Sequence, residues 1–121
     1  MELKIPVKGA DRFNLMLNLF STFKPYNLLN NRERQVLSEL LYVDYELKQL
    51  DEHRRNKLIF DYDTRREIAA KLSISTSSIY NIMSSLKKKG FIGENTLELK
   101  KFEYTDEIKI KFINERPKNS N

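Results

Sequence analysis

The chain has 121 residues, 40% hydrophobic and 32% charged, with a mean hydropathy of −0.61, which describes a single water-exposed globular domain. It holds no cysteine, one histidine and three glycines, which excludes disulfides, thiolate or histidine metal clusters, a cysteine nucleophile and a glycine-rich phosphate loop. The formal charge is +5, and between residues 53 and 92 nine Lys and Arg stand against three Asp and Glu, a local excess expected of a protein that meets a polyanion.

Leu3, Ile5 and Val7 alternate as in a short strand, and Pro6 places it at a sheet edge. Asp11 is the expected cap of a helix running to about Phe23 and ended before Pro25. Its apolar residues Phe13, Leu15, Met16, Leu17, Leu19, Phe20 and Phe23 wrap most of the circumference. Such a helix is buried in the core or against a second copy, so residues 11–23 are the expected homodimer contact. Asn30 or Asn31 caps the next helix, to about Gln49, with Val36, Leu37, Leu40, Leu41 and Tyr45 on one face. Asp51 to Asn56 then reads as a polar loop and Lys57 to Phe60 as a short strand. Tyr42, Tyr45, Phe60 and Tyr62 are expected in the core, and His53 on the surface.

From Thr64 to Leu72 a short helix turns Ile68, Ala69 and Leu72 inward, after the capping residues Asp61, Asp63 and Thr64. Ser73-Ile74-Ser75 is a tight connection, and Ser75 caps a second helix from Thr76 to Lys89. Its buried stripe is Ile79, Ile82, Met83 and Leu86, and Gly90 is the left-handed residue that ends it. Two short helices so closely joined must cross steeply, with the small Ala69 at the crossing. That is helix-turn-helix geometry.

The run Thr64-Arg65-Arg66-Glu67-Ile68-Ala69-Ala70-Lys71-Leu72-Ser73-Ile74-Ser75-Thr76-Ser77-Ser78-Ile79-Tyr80-Asn81-Ile82, continued by Leu86-Lys87-Lys88-Lys89-Gly90-Phe91-Ile92, resembles the winged helix-turn-helix of MarR-like and GntR-like regulators of bacteria and phages. The resemblance is close over residues 64–92 and loose from residue 31, if the 31–49 helix is the first of that fold. Ser73 departs from the glycine usual at the turn, at a cost of about 1 kcal/mol for a left-handed non-glycine residue. The 51–56 segment is also longer than most such proteins use there. The resemblance implies a mainly α fold with a small β-wing (α+β), a winged helix-turn-helix with an extra N-terminal helix. Gly93-Glu94-Asn95 would turn the wing and Thr96 to Leu99 return it, with a further strand at Glu107 to Ile113. The acidic turn Glu103 to Glu107 repels phosphate and is expected to point away from it. Residues 1–29 would form the N-terminal element, 30–115 the winged domain and 116–121 a disordered tail.

In such a fold the second helix enters the major groove with its outward N-terminal positions. Those are Thr76, Ser77, Tyr80, Asn81 and Ser84, where Asn81 can pair with adenine and the Thr76 methyl can touch thymine. No arginine lies on this helix for guanine, so any specificity is expected to be modest or A·T-biased. Arg65, Arg66, Lys71, Lys87, Lys88 and Lys100 are the expected phosphate contacts. Lys87, Lys88 and Lys89 also suit the negative end of their helix. The carboxylates show no paired spacing for acid–base chemistry, so the expectation is a non-enzymatic reader of double-stranded DNA, a transcriptional regulator, with no cofactor and no metal. The alternative is a winged-helix module for protein assembly in a phage particle or a replication or transcription complex. No apolar run is long enough for a membrane span, and Met1 to Val7 has no secretory leader pattern. The expected location is the cytoplasm of a bacterium or phage-infected cell, or the virion.

Overall fold

A computed structural model describes the backbone of residues 2–6 and 107–111 and the full residues 9–98. Its elements are β1 (Glu2–Pro6), α1 (Asp11–Leu19), a 3-10 turn (Tyr26–Leu28), α2 (Asn31–Glu46), α3 (Glu52–Ile59), α4 (Tyr62–Lys71), α5 (Thr76–Lys88) and β2 (Glu107–Lys111). The fold is mainly helical. β1 and β2 pair antiparallel, with Leu3 opposite Ile110 and Ile5 opposite Ile108. The strand expected from Glu107 thus finds its partner at the N-terminus. No helix among the described residues is long and apolar enough to cross a membrane.

Helix α2 is the hub, packed against α1, α3 and α5. Val36, Leu37, Leu40 and Leu41 repeat at helical spacing and are buried, together with Phe13 and Leu17 of α1, Ile59 and Phe60, Ile68 and Ala69 of α4, and Ile79, Met83 and Leu86 of α5. Its start is a reciprocal capping box. The Asn30 side chain accepts from the Glu33 N–H and the Glu33 carboxylate accepts from the Asn30 N–H, both at 2.9 Å.

Glu33 does far more than cap. It is 2% exposed, and its carboxylate also accepts from Lys89 Nζ at 2.7 and 2.9 Å and from the Ser85 hydroxyl. Lys89 Nζ donates in addition to the Leu28 carbonyl at 2.8 Å. Burial pushes the Glu33 carboxyl up, but the bonds from Lys89, Ser85 and Asn30 and the Lys89 charge outweigh it, so its pKa lies below the ordinary 4.5. The N-terminus of α2 is thereby tied to the C-terminal turn of α5.

Several expected boundaries change. α1 ends at Leu19 rather than near Phe23, and its N-cap is Ala10, with Asp11 in the first turn. Asp11 still places negative charge at the positive helix end, but makes no capping bond. Phe13 and Leu17, one turn apart, belong to this chain's own core, whereas Leu19, Phe20 and Phe23 are 44%, 38% and 63% exposed. The helix is therefore not buried all round. Arg12, 4% exposed, lies with its guanidinium 4.4 Å from the Tyr45 ring centroid, which compensates part of its burial.

The expected loop at 51–56 and strand at 57–60 are instead one helix, α3. Asp51 caps it by accepting from the Arg54 N–H at 2.9 Å, and no glycine or proline interrupts it. A strand would turn Leu58 and Phe60 to one face, yet Leu58 is 44% exposed and Phe60 8%. Three apolar residues, Leu58, Ile59 and Phe60, are too few to separate the two periodicities. Arg55 joins α3 to the end of α2 through Asp44, at 3.2 Å, and the Leu50 carbonyl. Tyr62 is exposed at 51%, not in the core, while Phe60 is buried and Tyr42 and Tyr45 are partly so. His53 is exposed.

α4 begins at its cap Asp61, and the Thr64 hydroxyl donates to the Leu58 carbonyl of α3 at 2.6 Å. It ends in a left-handed turn at Ser73, φ 55°, where Ser73 and Ile74 donate back to Ala70 and Ala69. α5 ends the same way at Gly90, φ 85°, with Gly90 and Phe91 donating to Lys87 and Leu86. Beyond it, Ile92 and Leu97 form one isolated bridge around the turn, with Gly93 N–H donating to Thr96 at 2.8 Å. A two-stranded wing is not part of the described fold. Val7, Leu99, Lys100, the turn at 103–106 and the tail at 116–121 lie outside the described residues.

Removing one partner of a buried ion pair leaves the other uncompensated. Glu33→Ala is expected to lower stability by about 3 kcal/mol in urea unfolding at neutral pH. Because the folded carboxyl titrates below its unfolded value near 4.5, its stabilisation is complete above that pH. It disappears as pH falls through the folded pKa. Glu33→Gln is expected to flatten this acid limb; an unchanged limb would assign it to another carboxylate.

Candidate nucleic-acid interface

Helix α5 is divided lengthwise. Ile79 and Leu86 are fully buried and Met83 nearly so, which fixes the helix's rotation about its axis. Ser77, Asn81, Ser84 and Lys88 then recur at i, i+4, i+7 and i+11 along the opposite side, and all are exposed. Thr76 and Tyr80 are exposed beside this stripe. The five expected base-reading residues therefore share an outward face, and none is needed by the core.

The start of α5 is held by Ser75, whose hydroxyl accepts from the Ser78 N–H at 3.1 Å and contacts the Ser77 and Ser78 hydroxyls. With no acidic residue in its first turn, the positive end of this helix is not neutralised from within. Residues 73–92 carry no carboxylate at all.

The expected phosphate contacts separate into several groups. Arg66 is exposed, its guanidinium 5.7 Å from the Tyr62 ring, and Lys88 is exposed with no ion pair among the described residues. Arg65 is half-buried, with its guanidinium 5.0 Å from the centroid of the Tyr80 ring. Lys71 is instead turned to α2, where it pairs with Glu39 at 2.9 Å and lies 5.7 Å from the Tyr42 ring. The Glu39 bond holds the Lys71 ammonium above its usual pKa, against the opposing effect of burial. Burial pushes the Tyr42 phenol up too, and the Glu46 charge adds to it. Lys87 is ion-paired with Glu94 in the turn after α5, and that lysine holds the Glu94 carboxyl below its usual value. Lys100 is outside the described residues.

The consecutive lysines thus have different occupations: Lys87 meets Glu94, Lys88 faces solvent, and Lys89 closes the Glu33 site. Sequence reasoning missed the Glu33 cluster, although Asn30 and Glu33 carry the capping-box spacing that marks half of it. The Arg65–Tyr80 contact, across the turn between two helices, has no periodic signal.

A groove of about 550 Å³ lies between α4 and the start of α5, lined by Asp63, Arg66, Glu67, Ala69, Ala70, Ile74 and Thr76. Its two carboxylates against one guanidinium make it poorly suited to a phosphate. The exposed face of α5 and its flanking cations form the stronger candidate surface.

Set against known protein families, curated proteins and solved structures, the chain matches none.

The Glu94 carboxylate competes with any anion for Lys87. Glu94→Gln is expected to raise affinity for random duplex DNA roughly two- to five-fold at low salt, and less as salt rises. Fluorescence anisotropy across a salt series measures this. No gain would mean that Lys87 does not approach the polyanion.

Proposed function

We propose that this chain is a non-enzymatic double-stranded DNA-binding protein, a transcriptional regulator built on a winged helix-turn-helix with an extra N-terminal helix. The observation that carries the reading is the outward face of α5, which is polar, exposed and free of carboxylates over residues 73–92. A surface of that kind has no folding role, and its amide and hydroxyl groups suit base edges. In this reading α4 and α5 are the helix-turn-helix pair, α2 the first helix, and α3 an addition between them. The turn at 93–96 would be the tip of a short wing.

The docking follows from the charges. The unneutralised N-terminus of α5, Arg66 and Lys88 meet phosphates and position the helix, with most of the affinity and its salt dependence. Lys87 joins them by exchanging Glu94 for phosphate. Lys71 would have to give up Glu39, so it is demoted among the contacts. Asn81 accepts from adenine N6 through its amide oxygen and donates to N7 through its NH2, and Thr76 presents its methyl group to a thymine.

We infer also that the protein self-associates beside α1, since symmetric operators suit dimeric readers. The supporting feature is the exposed set Leu19, Phe20, Phe23 and Leu28, at 44%, 38%, 63% and 53%. Phe13 and Leu17 are excluded from that contact because the monomer's own core takes them. Phe23→Glu is expected to keep the thermal transition and give a monomer in sedimentation velocity, whereas Phe13→Glu unfolds the chain. A wild-type monomer at high concentration would overturn self-association.

Asn81→Ala tests the principal reading. Folding stability should stay within about 0.5 kcal/mol, the range of neutral surface changes, while affinity for a preferred duplex falls by about 1–3 kcal/mol. Thermal unfolding and fluorescence anisotropy on preferred and random duplexes measure both. Equal losses on the two duplexes would remove base readout. Failure of the unmutated protein to bind any duplex would assign the surface to a protein partner in a larger assembly.

A further inference from the structure

We infer that Arg65 reads a guanine base, with Tyr80 as its positioning residue. This rests on the DNA-binding reading and goes beyond it, because α5 itself carries no arginine and its sequence suggests only modest or A·T-biased readout. The arginine arrives from the neighbouring helix. Arg65 stands in the first turns of α4, and its guanidinium lies 5.0 Å from the centroid of the Tyr80 ring on the exposed side of α5. Tyr80 is 45% exposed, so the stack sits at the edge of the reading face rather than in the core.

The condition of the arginine is informative. Its Nε is buried without a hydrogen-bond partner, and among the described residues the guanidinium forms no ion pair. Lys71, Lys87, Lys89, Arg54 and Arg55 are all matched to carboxylates. Arg65 also sits near the positive end of α4, where a cation is disfavoured. A guanidinium over a ring has one face covered, and with the Nε side buried the terminal Nη1–Nη2 edge is the one left in the plane to bond. That edge is the fork that fits O6 and N7 of guanine in the major groove. The stack restrains the side chain beforehand, so less rotational freedom is lost when the two bonds form. Asn81 follows Tyr80 by one position, roughly 100° round the helix. Arg65 and Asn81 are assigned to different base pairs.

A phosphate would also accept from this guanidinium, and the test separates the two. The full chain and its variants are used to select duplexes from a randomised library, with thermal unfolding as a control for folding. The wild type should enrich a motif holding a guanine at one position and an adenine at another. Arg65→Lys keeps the charge but not the fork, and should lose preference at the guanine position by roughly 5- to 100-fold, with binding to random duplex falling far less. Tyr80→Ala should lose the same preference, and Tyr80→Phe should restore it because the ring remains. Retention of guanine by Arg65→Lys would overturn the inference. So would a uniform loss on all sequences, which is the signature of a phosphate contact. A wild-type motif without guanine overturns this inference alone; absence of all duplex binding overturns the DNA-binding reading with it.

Discussion

A carboxylate taken almost completely out of water has to be matched on all sides, and Glu33 is matched by three residues from two parts of the chain. The Asn30 N–H belongs to its own helix cap, while Ser85 and Lys89 come from the last turns of α5. Ser85 and Lys89 are one turn apart and so present themselves together. Only one rotation of α5 brings both to Glu33, and the buried Ile79, Met83 and Leu86 require the same rotation. Polar and apolar constraints agree, which is what specifies one arrangement rather than several. The outward face of α5 is the consequence: once Glu33 is satisfied, Ser77, Asn81, Ser84 and Lys88 can only point to solvent.

The same economy governs the cations. Nine basic residues between 53 and 92 look uniform on a charge plot, yet the fold divides them by what lies within reach. Arg55 and Lys89 hold helices together at partly buried sites, and Lys71 leans on Glu39, which is 8% exposed. Lys87 has an exposed partner that solvent screens, so its pairing is easily exchanged. Net charge thus overstates the surface available to a polyanion. What remains is a compact set around α5 and the start of α4, where the carboxylates of Asp63 and Glu67 bound it on one side.

The N-terminal region shows the opposite balance. α1 supplies Phe13 and Leu17 to the core, one turn apart, and then runs into Leu19, Phe20 and Phe23, which the core does not cover. Phe20 is steadied at its edge by the Tyr26 ring at 5.4 Å, and Tyr26 in turn by Phe91 at 6.1 Å. The residual apolar surface is thus anchored beside the end of α5, the element that also carries the polar face.

The amino-acid sequence by itself determined the elements whose signals are local. The capped start at Asn30 or Asn31, settled at Asn30, the cap at Ser75, the left-handed turns at Ser73 and Gly90, and the buried stripe of α5 apart from the partly buried Ile82 were legible, because caps, turn conformations and periodicity act within a few residues. The outward placement of Thr76, Ser77, Tyr80, Asn81 and Ser84 followed from that stripe. Tertiary structure decided the rest. It made residues 52–59 a helix, since burial of Ile59 and Phe60 but not Leu58 settled a run too short for either period to prevail. It divided α1 between core and surface, because apolar character says nothing of which side finds a neighbour. It also sorted Lys71, Lys87, Lys88 and Lys89, and brought Arg65 onto Tyr80. Those pairings join residues far apart along the chain or across a turn, and only the packing of helices sets the distances at which charges and rings can meet.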